Sequence, residues 1–394
     1  MKDFNFYAPT RIVFGKSSEE QLPQLIRQYG GTKVLVHYGG GSARKSGLLD
    51  KVEAMLTEAK IDFVELGGVV PNPLLSKVRE GIALCRKEGV DFILAVGGGS
   101  VIDSSKAIGY GVCYDGDVWD FWDGKGAPQA CLPIGVMLTI PAAGSEMSSS
   151  TVITNDEGML KRGFNSDVCR CRFAIMNPER TYTLPPYQTA AGATDIMMHT
   201  MERYFSKYED ATLTDAISEA LLRTVKEAVF EVLKNPEDYR NRANIMWASS
   251  LSHNDLTECG TEKDFATHKL EHELSACFGV THGAGLAAIW GSWARYVMDR
   301  HVSRFAQYAV NVMGVPNDFA DQRATALRGI EATERFFHAI GMPVSIPELV
   351  GRKATDEEIS DCVRKCSRDG KMKLGAIEVL DASDMEKIYR MANE

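Results

Sequence analysis

Four side chains between positions 195 and 282 have the types and spacing of a metal site. Asp195 and His199 are four residues apart, His268 and His272 are also four apart, and His282 follows in a glycine-flanked segment. On a helix, this spacing places both side chains of a pair on one face. Two such helices could therefore offer a carboxylate and several imidazoles to one ion.

Our candidate ligands are Asp195, His199, His268 and His282, a donor set that suits Fe²⁺ or Zn²⁺ better than Ca²⁺ or Mg²⁺. Either helical pair alone would equally fit a buried, hydrogen-bonded pair without any ion. The small residues around His282, where backbone segments can approach closely, favour the metal.

An upstream segment has the pattern of a dinucleotide-binding turn. An apolar run at 92–96 is typical of a buried parallel strand, and Gly97-Gly98-Gly99-Ser100 leads from it into a predicted helix. Backbone N–H groups and the helix dipole at such a turn can hold a pyrophosphate. We therefore predict that Gly98, Gly99 and Ser100 bind the cofactor, although many tight turns use glycine and the G-x-G-x-x-G pattern is missing.

A second turn of this kind, which contains Gly39, Gly40 and Ser42, follows the predicted strand at 33–38. In NAD-specific sites an acidic residue near the end of this strand holds the ribose 2′-hydroxyl. Glycine stands there in this chain, and Arg44 and Lys45 are near. The pattern predicts room and charge for a 2′-phosphate, hence NADP(H) in preference to NAD(H), which remains usable. The two cations could equally be ordinary solvated residues at a helix start.

Composition limits the class of protein. The chain has 394 residues, 44% of them hydrophobic and 25% charged, which indicates a two-domain globular protein. A net charge of −9 argues against a nucleic-acid partner. We expect no membrane partner and no signal peptide, and we interpret the nine scattered cysteines as reduced thiols of a cytoplasmic protein.

The predicted elements change in character near Pro185 and Pro186. Strands are predicted at 11–14, 33–38, 62–66, 92–96, 134–138 and 173–176. Helices are predicted between them at 18–29, 46–59, 74–88 and 101–113, and beyond them at 238–257, 263–277, 283–298, 302–313, 319–340, 355–368 and 383–392. This order predicts an N-terminal α/β dinucleotide-binding domain with a mostly parallel, Rossmann-like sheet over 1–185, and an all-α metal-binding domain over 186–394.

Several motifs together resemble the iron-dependent, or group III, alcohol dehydrogenases, in the branch of butanol dehydrogenases and broad aldehyde reductases. The resemblance runs nearly from end to end. It includes the segments 6–15, 71–73, 95–103, 141–146 and 182–186, together with the Asp195/His199 and His268/His272 pairs and His282-Gly283.

The resemblance implies further roles. Asp195, His199, His268 and His282 would be the metal ligands, whereas His272 would face the substrate. Thr139 and Ser148 would lie near the nicotinamide, Lys161 near the ribose, and Asp103 within the cofactor motif. A homodimer is also implied.

A metal and a dinucleotide together predict hydride transfer between NAD(P)H and a small aldehyde, giving a primary alcohol. His272 is our candidate proton donor, with a pocket-shaping role as its alternative. Apolar residues near the ligands in sequence favour short- to medium-chain, butanol-like substrates; they are Ile196, Met197, Met198, Trp247, Phe265 and Leu270. The alternatives are a polyol dehydrogenase of the same fold, a lyase resembling dehydroquinate synthase and a non-catalytic nucleotide-binding module.

Overall fold

The computed structural model describes residues 1–394 and divides into two compact units. The α/β unit comprises Tyr7–Thr183. The helical unit comprises Leu184–Glu394 together with Met1–Phe6. None of the helices is long and apolar enough to cross a membrane.

Strands and helices alternate through most of the α/β unit. In chain order its elements are β1 (Arg11–Phe14), α1 (Leu22–Gln28), β2 (Lys33–Tyr38), α2 (Ser42–Lys45), α3 (Leu48–Glu58), β3 (Asp62–Leu66), α4 (Leu75–Glu88), β4 (Phe92–Gly97), α5 (Gly99–Val112), β5 (Ile134–Leu138), β6 (Ser150–Asn155), β7 (Leu160–Asn165) and β8 (Phe173–Met176). All six predicted strands are present, whereas the antiparallel β6–β7 hairpin was not predicted. Strand β7 contains Lys161, Arg162 and Gly163, and β6 is mostly polar, so neither strand has a clear apolar alternation.

The main sheet is entirely parallel, in the order β1-β8-β5-β4-β2-β3. From β2 the chain moves outward to β3 and then returns to the other side of β2 to form β4. This reversal lies between β2 and β4, and in open parallel sheets ligands bind beyond the carboxyl ends of the strands at such a point. The two glycine-rich turns follow these two strands.

Helix α3 illustrates how the helices of this unit pack against the sheet. Leu48, Leu49, Val52 and Leu56 are buried on one face and pack in a cluster with the inward residues of β2 and β4. Strand β4 is buried along its whole length, as expected for a parallel strand that is covered on both faces.

The helical unit contains no strand. Its helices are α6 (Pro186–Tyr204), α7 (Thr212–Lys234), α8 (Tyr239–Ser252), α9 (Ala266–Phe278), α10 (His282–Met298), α11 (Val302–Asn311), α12 (Gln322–Ala339), α13 (Ile346–Val350), α14 (Asp356–Cys366) and α15 (Ala382–Ala392). The short α13 was not predicted. Helix α10 is largely buried, with Trp290 and Trp293 fully enclosed in the core.

Candidate functional site

Three helices of the helical unit bring three of the four predicted metal donors together, with the fourth beside them. Asp195 and His199 lie on α6, His268 lies on α9, and His282 is the first residue of α10. Asp195 Oδ1 is 3.7 Å from His268 Nε2 and 3.8 Å from His282 Nε2. The donor atoms of Asp195, His268 and His282 all lie within 4.8 Å of one another.

Two of these atoms indicate that a cation belongs there. His268 Nε2 is buried and makes no hydrogen bond, and Asp195 Oδ1 makes no well-directed one, because His199 Nδ1, 3.0 Å away, bonds to the Asp195 backbone carbonyl. A buried polar atom without a partner costs about 1–3 kcal/mol, and a divalent ion would satisfy both atoms at once. One carboxylate oxygen with imidazole nitrogens is a donor set that fits a first-row transition metal.

Two further carboxylates orient the imidazoles. Glu202 Oε2 lies 2.7 Å from His268 Nδ1, and the Glu271 carboxylate is hydrogen-bonded to His282 Nδ1. With a proton on each Nδ1, the lone pair of each Nε2 faces Asp195, because each ring's other nitrogen is the N–H donor. These contacts make His268 and His282 preorganised donors.

Burial and neighbouring charges shift the pKa values of the clustered side chains. Burial opposes the charged form of Asp195, but the neighbouring His199 and His282 outweigh it and hold the pKa of Asp195 well below its usual range. Burial lowers the pKa of His199 to about 4, so this ring is neutral at pH 7. Burial would also lower the pKa of His268, but Glu202 and Asp195 dominate and raise it to about 9.

His199 lies beside the three-residue group and is not a member of it. Its ring centroid is 4.4 Å from that of His268, and its Nδ1 hydrogen-bonds to the Asp195 backbone carbonyl at 3.0 Å. His272 lies on the other side, with its ring centroid 5.8 Å from that of His282. His272, Glu271 and His282 also have donor atoms within 4.8 Å of one another.

Two glycines in the first turn of α10 allow this helix to approach its neighbours closely enough to place His282 beside Asp195. A Cβ on Gly283 would lie 2.0 Å from the Ala191 backbone oxygen, so α10 meets α6 backbone to backbone at this point. A Cβ on Gly285 would lie 2.8 Å from a carboxylate oxygen of Glu271. The predicted close approach beside His282 is confirmed, and the contact is with the helix that carries Asp195.

The apolar residues predicted to line the substrate site lie mostly elsewhere. Ile196, Met197, Met198 and Leu270 are fully buried members of the helical core, because the faces of α6 and α9 that carry them point away from the ligands. Trp247 is exposed on α8. Only Phe265 adjoins the donors, with its ring centroid 4.8 Å from that of His268.

In the α/β unit, the two glycine-rich turns lie side by side. A Cβ on Gly39 would be 3.7 Å from Val101 Cγ2 in the first turn of α5. Gly98 is the N-cap of α5, Gly99 and Ser100 are its first residues, and the first-turn N–H groups of a helix have no acceptor within it. Such a helix N-terminus, at the reversal of the sheet, is able to bind an anion. Gly40 lies in the turn after β2, and Ser42 is the first residue of α2.

Arg44 is not available as a simple cation for a 2′-phosphate. Its guanidinium pairs with Asp50, Glu53 and Glu65. Gly39 has an ordinary backbone conformation, and the nearest atom to an added Cβ is the Val69 carbonyl oxygen at 3.4 Å. A side chain therefore fits at position 39 with little movement.

Asp103 and Ser148 belong to a buried hydrogen-bond network, the clamp, that joins α5 to the loop before β6. Asp103 accepts hydrogen bonds from Ser145 Oγ at 2.6 Å and from the Val152 amide at 2.9 Å. Lys106, which is fully buried one turn later on α5, donates to the backbone carbonyls of Ser145 at 2.8 Å, Ser148 at 2.9 Å and Ser150 at 2.8 Å. Both carboxylate oxygens of Asp103 are thus engaged in holding the loop before β6 against α5.

The other two predicted cofactor residues are placed separately. Thr139 directly follows β5, and its amide donates to the Gly97 carbonyl at 3.1 Å, so it adjoins the glycine turn. Lys161 is buried on β7, in the hairpin that follows the clamped loop.

The sequence argument missed Glu202 and Glu271. A signal was available, because metal-bound histidines commonly donate their second ring nitrogen to a carboxylate. Glu202 is three residues after His199, and Glu271 is three residues after His268. Acidic residues at helical spacing from the ligands were therefore candidates.

Two family models match the chain. The model of iron-containing alcohol dehydrogenases matches residues 9–178, and the model of the C-terminal domain of Fe-containing alcohol dehydrogenases matches residues 189–393.

Full-length relatives are similar throughout. The chain is 39% identical to NADH-dependent butanol dehydrogenase A of Clostridium acetobutylicum over 392 residues, which is 99% of each chain. It is 35% identical to the NADPH-dependent aldehyde reductase YqhD of Escherichia coli over 399 residues, which is 100% of each. The crystal structure of NADH-dependent butanol dehydrogenase A from Thermotoga maritima is 36% identical, with a TM-score of 0.95 over 100% of this chain and 99% of that one.

Proposed function

This chain belongs to the iron-containing alcohol dehydrogenase family and is an NAD(P)-dependent alcohol dehydrogenase, and we propose that it reduces short- to medium-chain aldehydes, butyraldehyde among them. The observation that carries the proposal is the pair of buried atoms without a well-directed hydrogen bond, Asp195 Oδ1 and His268 Nε2. Relatives named as butanol dehydrogenases and as an aldehyde reductase support the substrate class. Family membership argues against the lyase and non-catalytic alternatives.

Asp195, His199, His268 and His282 would hold the iron. When bound, it supplies Lewis-acid stabilisation of the negative charge that develops on the carbonyl oxygen. Glu202 and Glu271 would fix the direction of the His268 and His282 rings, and three helices surround the site.

The cofactor would bind with its pyrophosphate at Gly98, Gly99 and Ser100, where the N-terminus of α5 supplies amide donors. Thr139 and Ser148 would lie near the nicotinamide and Lys161 near the ribose. Asp103 would act chiefly through the loop that it holds. Gly39 and Gly40, with Lys45 near, would leave space for a 2′-phosphate, so we propose that NADPH is used at least as well as NADH.

His272 would supply the proton that the new alkoxide requires. Its ring is close to that of His282, and imidazole has a pKa near neutrality when unperturbed. In His272→Ala, kcat should fall while iron content stays near the wild-type value. An equal loss of both would instead assign His272 to the metal.

A steady-state assay of nicotinamide absorbance tests the proposal. The wild-type protein should oxidise NADPH with acetaldehyde, propionaldehyde and butyraldehyde, with kcat/KM rising along the series, and at neutral pH reduction should outrun alcohol oxidation. Chelator should abolish the activity, and Fe²⁺ or Zn²⁺ should restore it. The surface variant His338→Ala serves as the control. Full activity without metal, or a tenfold preference for a charged or polyhydroxylated substrate, would overturn the proposal.

A cytoplasmic homodimer is also proposed. Strand β1 is an edge of the six-stranded sheet, and the preceding Phe4, Phe6 and Tyr7 are exposed, so this edge could pair with a second copy. All nine cysteines are free thiols, which fits a reducing compartment. Light scattering on the eluting protein would distinguish a dimer from a monomer.

A further inference from the structure

A buried arginine lies directly behind His199. Arg203, in the last turn of α6, is only 1% exposed. Its Nη1 donates to the His199 backbone carbonyl at 2.8 Å, its Nη2 hydrogen-bonds to His253 Nδ1 at 2.8 Å, and its Nε donates to Glu258 at 3.0 Å. The guanidinium is therefore fixed at three points, and one of its partners is a histidine outside the predicted donor set.

The hydrogen bond from Arg203 determines the protonation state of His253. A guanidinium has only donors and remains charged, so His253 Nδ1 must be the acceptor of this hydrogen bond. His253 is therefore a neutral ring with its proton on Nε2. Its ring centroid is 4.2 Å from that of His199, which in turn is 4.4 Å from that of His268. The His199 ring is thus held between a candidate ligand and a second, fixed imidazole.

The same arginine supports the segment that leads into α9. Phe265, the residue before α9, has a φ of 55°, a left-handed conformation that is costly for an aromatic residue. The Arg203 Cζ atom lies 4.8 Å from the centroid of the Phe265 ring, which also faces His268. A cation over an aromatic face is stabilising, so this contact helps to offset the backbone strain.

We propose that Arg203 and His253 are a positioning pair for the metal centre, which fixes the His199 ring from behind and, through Phe265, the start of the helix that carries His268. The inference rests on the proposed metal-binding function of Asp195, His199, His268 and His282. Neither residue of the pair is a ligand. Their effect should appear in how firmly the ion is held and in the geometry around it.

Cobalt substitution tests the pair without relying on activity. In His253→Leu, Arg203 loses one of its three acceptors and the His199 ring loses its polar neighbour, whereas the amide oxygen of His253→Gln can still accept from Arg203. We expect His253→Leu to lose Co²⁺ to a chelator about tenfold faster than the wild type, with a changed visible spectrum. His253→Gln should stay within about twofold of the wild type, and the exposed variant His338→Leu should match it.

The Arg203→Lys variant provides a second test. It keeps the buried positive charge, but its side chain cannot reach three acceptors at once. It should also release Co²⁺ faster than the wild type. If soluble His253→Leu or Arg203→Lys showed the wild-type spectrum and release rate, with only a lower melting temperature of the metal-free protein, the pair would be structural and the inference overturned. If the wild type itself took up no Co²⁺, the metal centre would be overturned along with it.

Discussion

Glu202 accepts two hydrogen bonds from a single residue, His268. Its Oε1 lies 3.0 Å from the His268 amide nitrogen, and its Oε2 lies 2.7 Å from the ring Nδ1. Both residues are buried. Backbone and ring of His268 are thus fixed by one carboxylate from α6, the helix that also carries Asp195 and His199. The direction of His268 Nε2 is consequently set before any ion binds.

Replacing this carboxylate by an amide should weaken metal binding. In Glu202→Gln only one acceptor oxygen remains, so either the amide or the ring of His268 loses its partner. We expect the affinity for Fe²⁺ or Zn²⁺ to fall roughly 10- to 100-fold, with activity recovered at high metal concentration. Chelator competition measures the affinity, with the exposed variant Glu227→Gln as control. Wild-type affinity in Glu202→Gln would show that the carboxylate is dispensable.

A single methyl group should displace His282. Alanine at position 283 would place its Cβ against the Ala191 carbonyl, so α10 must move away from α6. We expect Gly283→Ala to lose most of its bound metal and to melt at a lower temperature, since forced repacking costs about 1–3 kcal/mol. The control is Gly126→Ala, where an added Cβ has no neighbour within 4 Å. Metal content equal to the wild type would contradict the close approach.

Cofactor choice should respond to position 39. In Gly39→Asp a carboxylate at the end of β2 would repel a 2′-phosphate and could accept from a 2′-hydroxyl. We expect the ratio of kcat/KM for NADPH to that for NADH to fall at least tenfold. The matched control is Gly39→Asn, which has the same shape without the charge and should change the ratio less. Strict use of NADH by the unmodified protein would refute the NADPH preference.

The α/β unit should lose stability in mild acid because of His37. His37 lies on β2, and its fully buried ring is hydrogen-bonded to the Leu66 carbonyl and to Ser104 Oγ on α5; burial lowers its pKa to about 4 from 6.5. As the pH falls below 6.5, the unfolded chain binds this proton first. The contribution of the neutral His37 ring to the free energy of unfolding is therefore complete above pH 6.5 and is lost between pH 6.5 and 4.

At pH 5 this loss amounts to about 2 kcal/mol relative to pH 7. His37→Asn should be less stable at pH 7, but its unfolding should depend less on pH across that window. Urea denaturation of the metal-loaded protein, at pH values that retain the metal, separates this effect from titration at the metal centre. Parallel pH profiles of wild type and variant would exclude His37 as the cause.

Sequence reasoning found the elements that local pattern determines. Strand β4 is an uninterrupted apolar run, and the spacing of Asp195 and His199 belongs to a single helix, so both are visible in a short window. The glycine-rich turns are likewise local features. The confirmed strands and the family assignment follow from such patterns.

The features that were missed depend on contacts between distant segments. Lys106 binds three carbonyls about forty residues away, and Arg203 meets His253 fifty residues away. Met197 was predicted to face substrate because it neighbours the ligands in sequence, but its direction on α6 points it into the core. The angular position of Met197 around the helix axis, rather than its residue type, determines what it contacts.

The proposed metal donors, the carboxylates hydrogen-bonded to them and the Arg203–His253 pair all lie between positions 195 and 282, within the helical unit. The chain passes from the α/β unit to this unit at Thr183–Leu184. Recombination at that junction, with residues 1–6 retained, would exchange the α/β unit for that of a relative while all of these groups are inherited together. Chimaeras joined there would test whether cofactor preference follows the α/β unit and metal binding follows the helical unit.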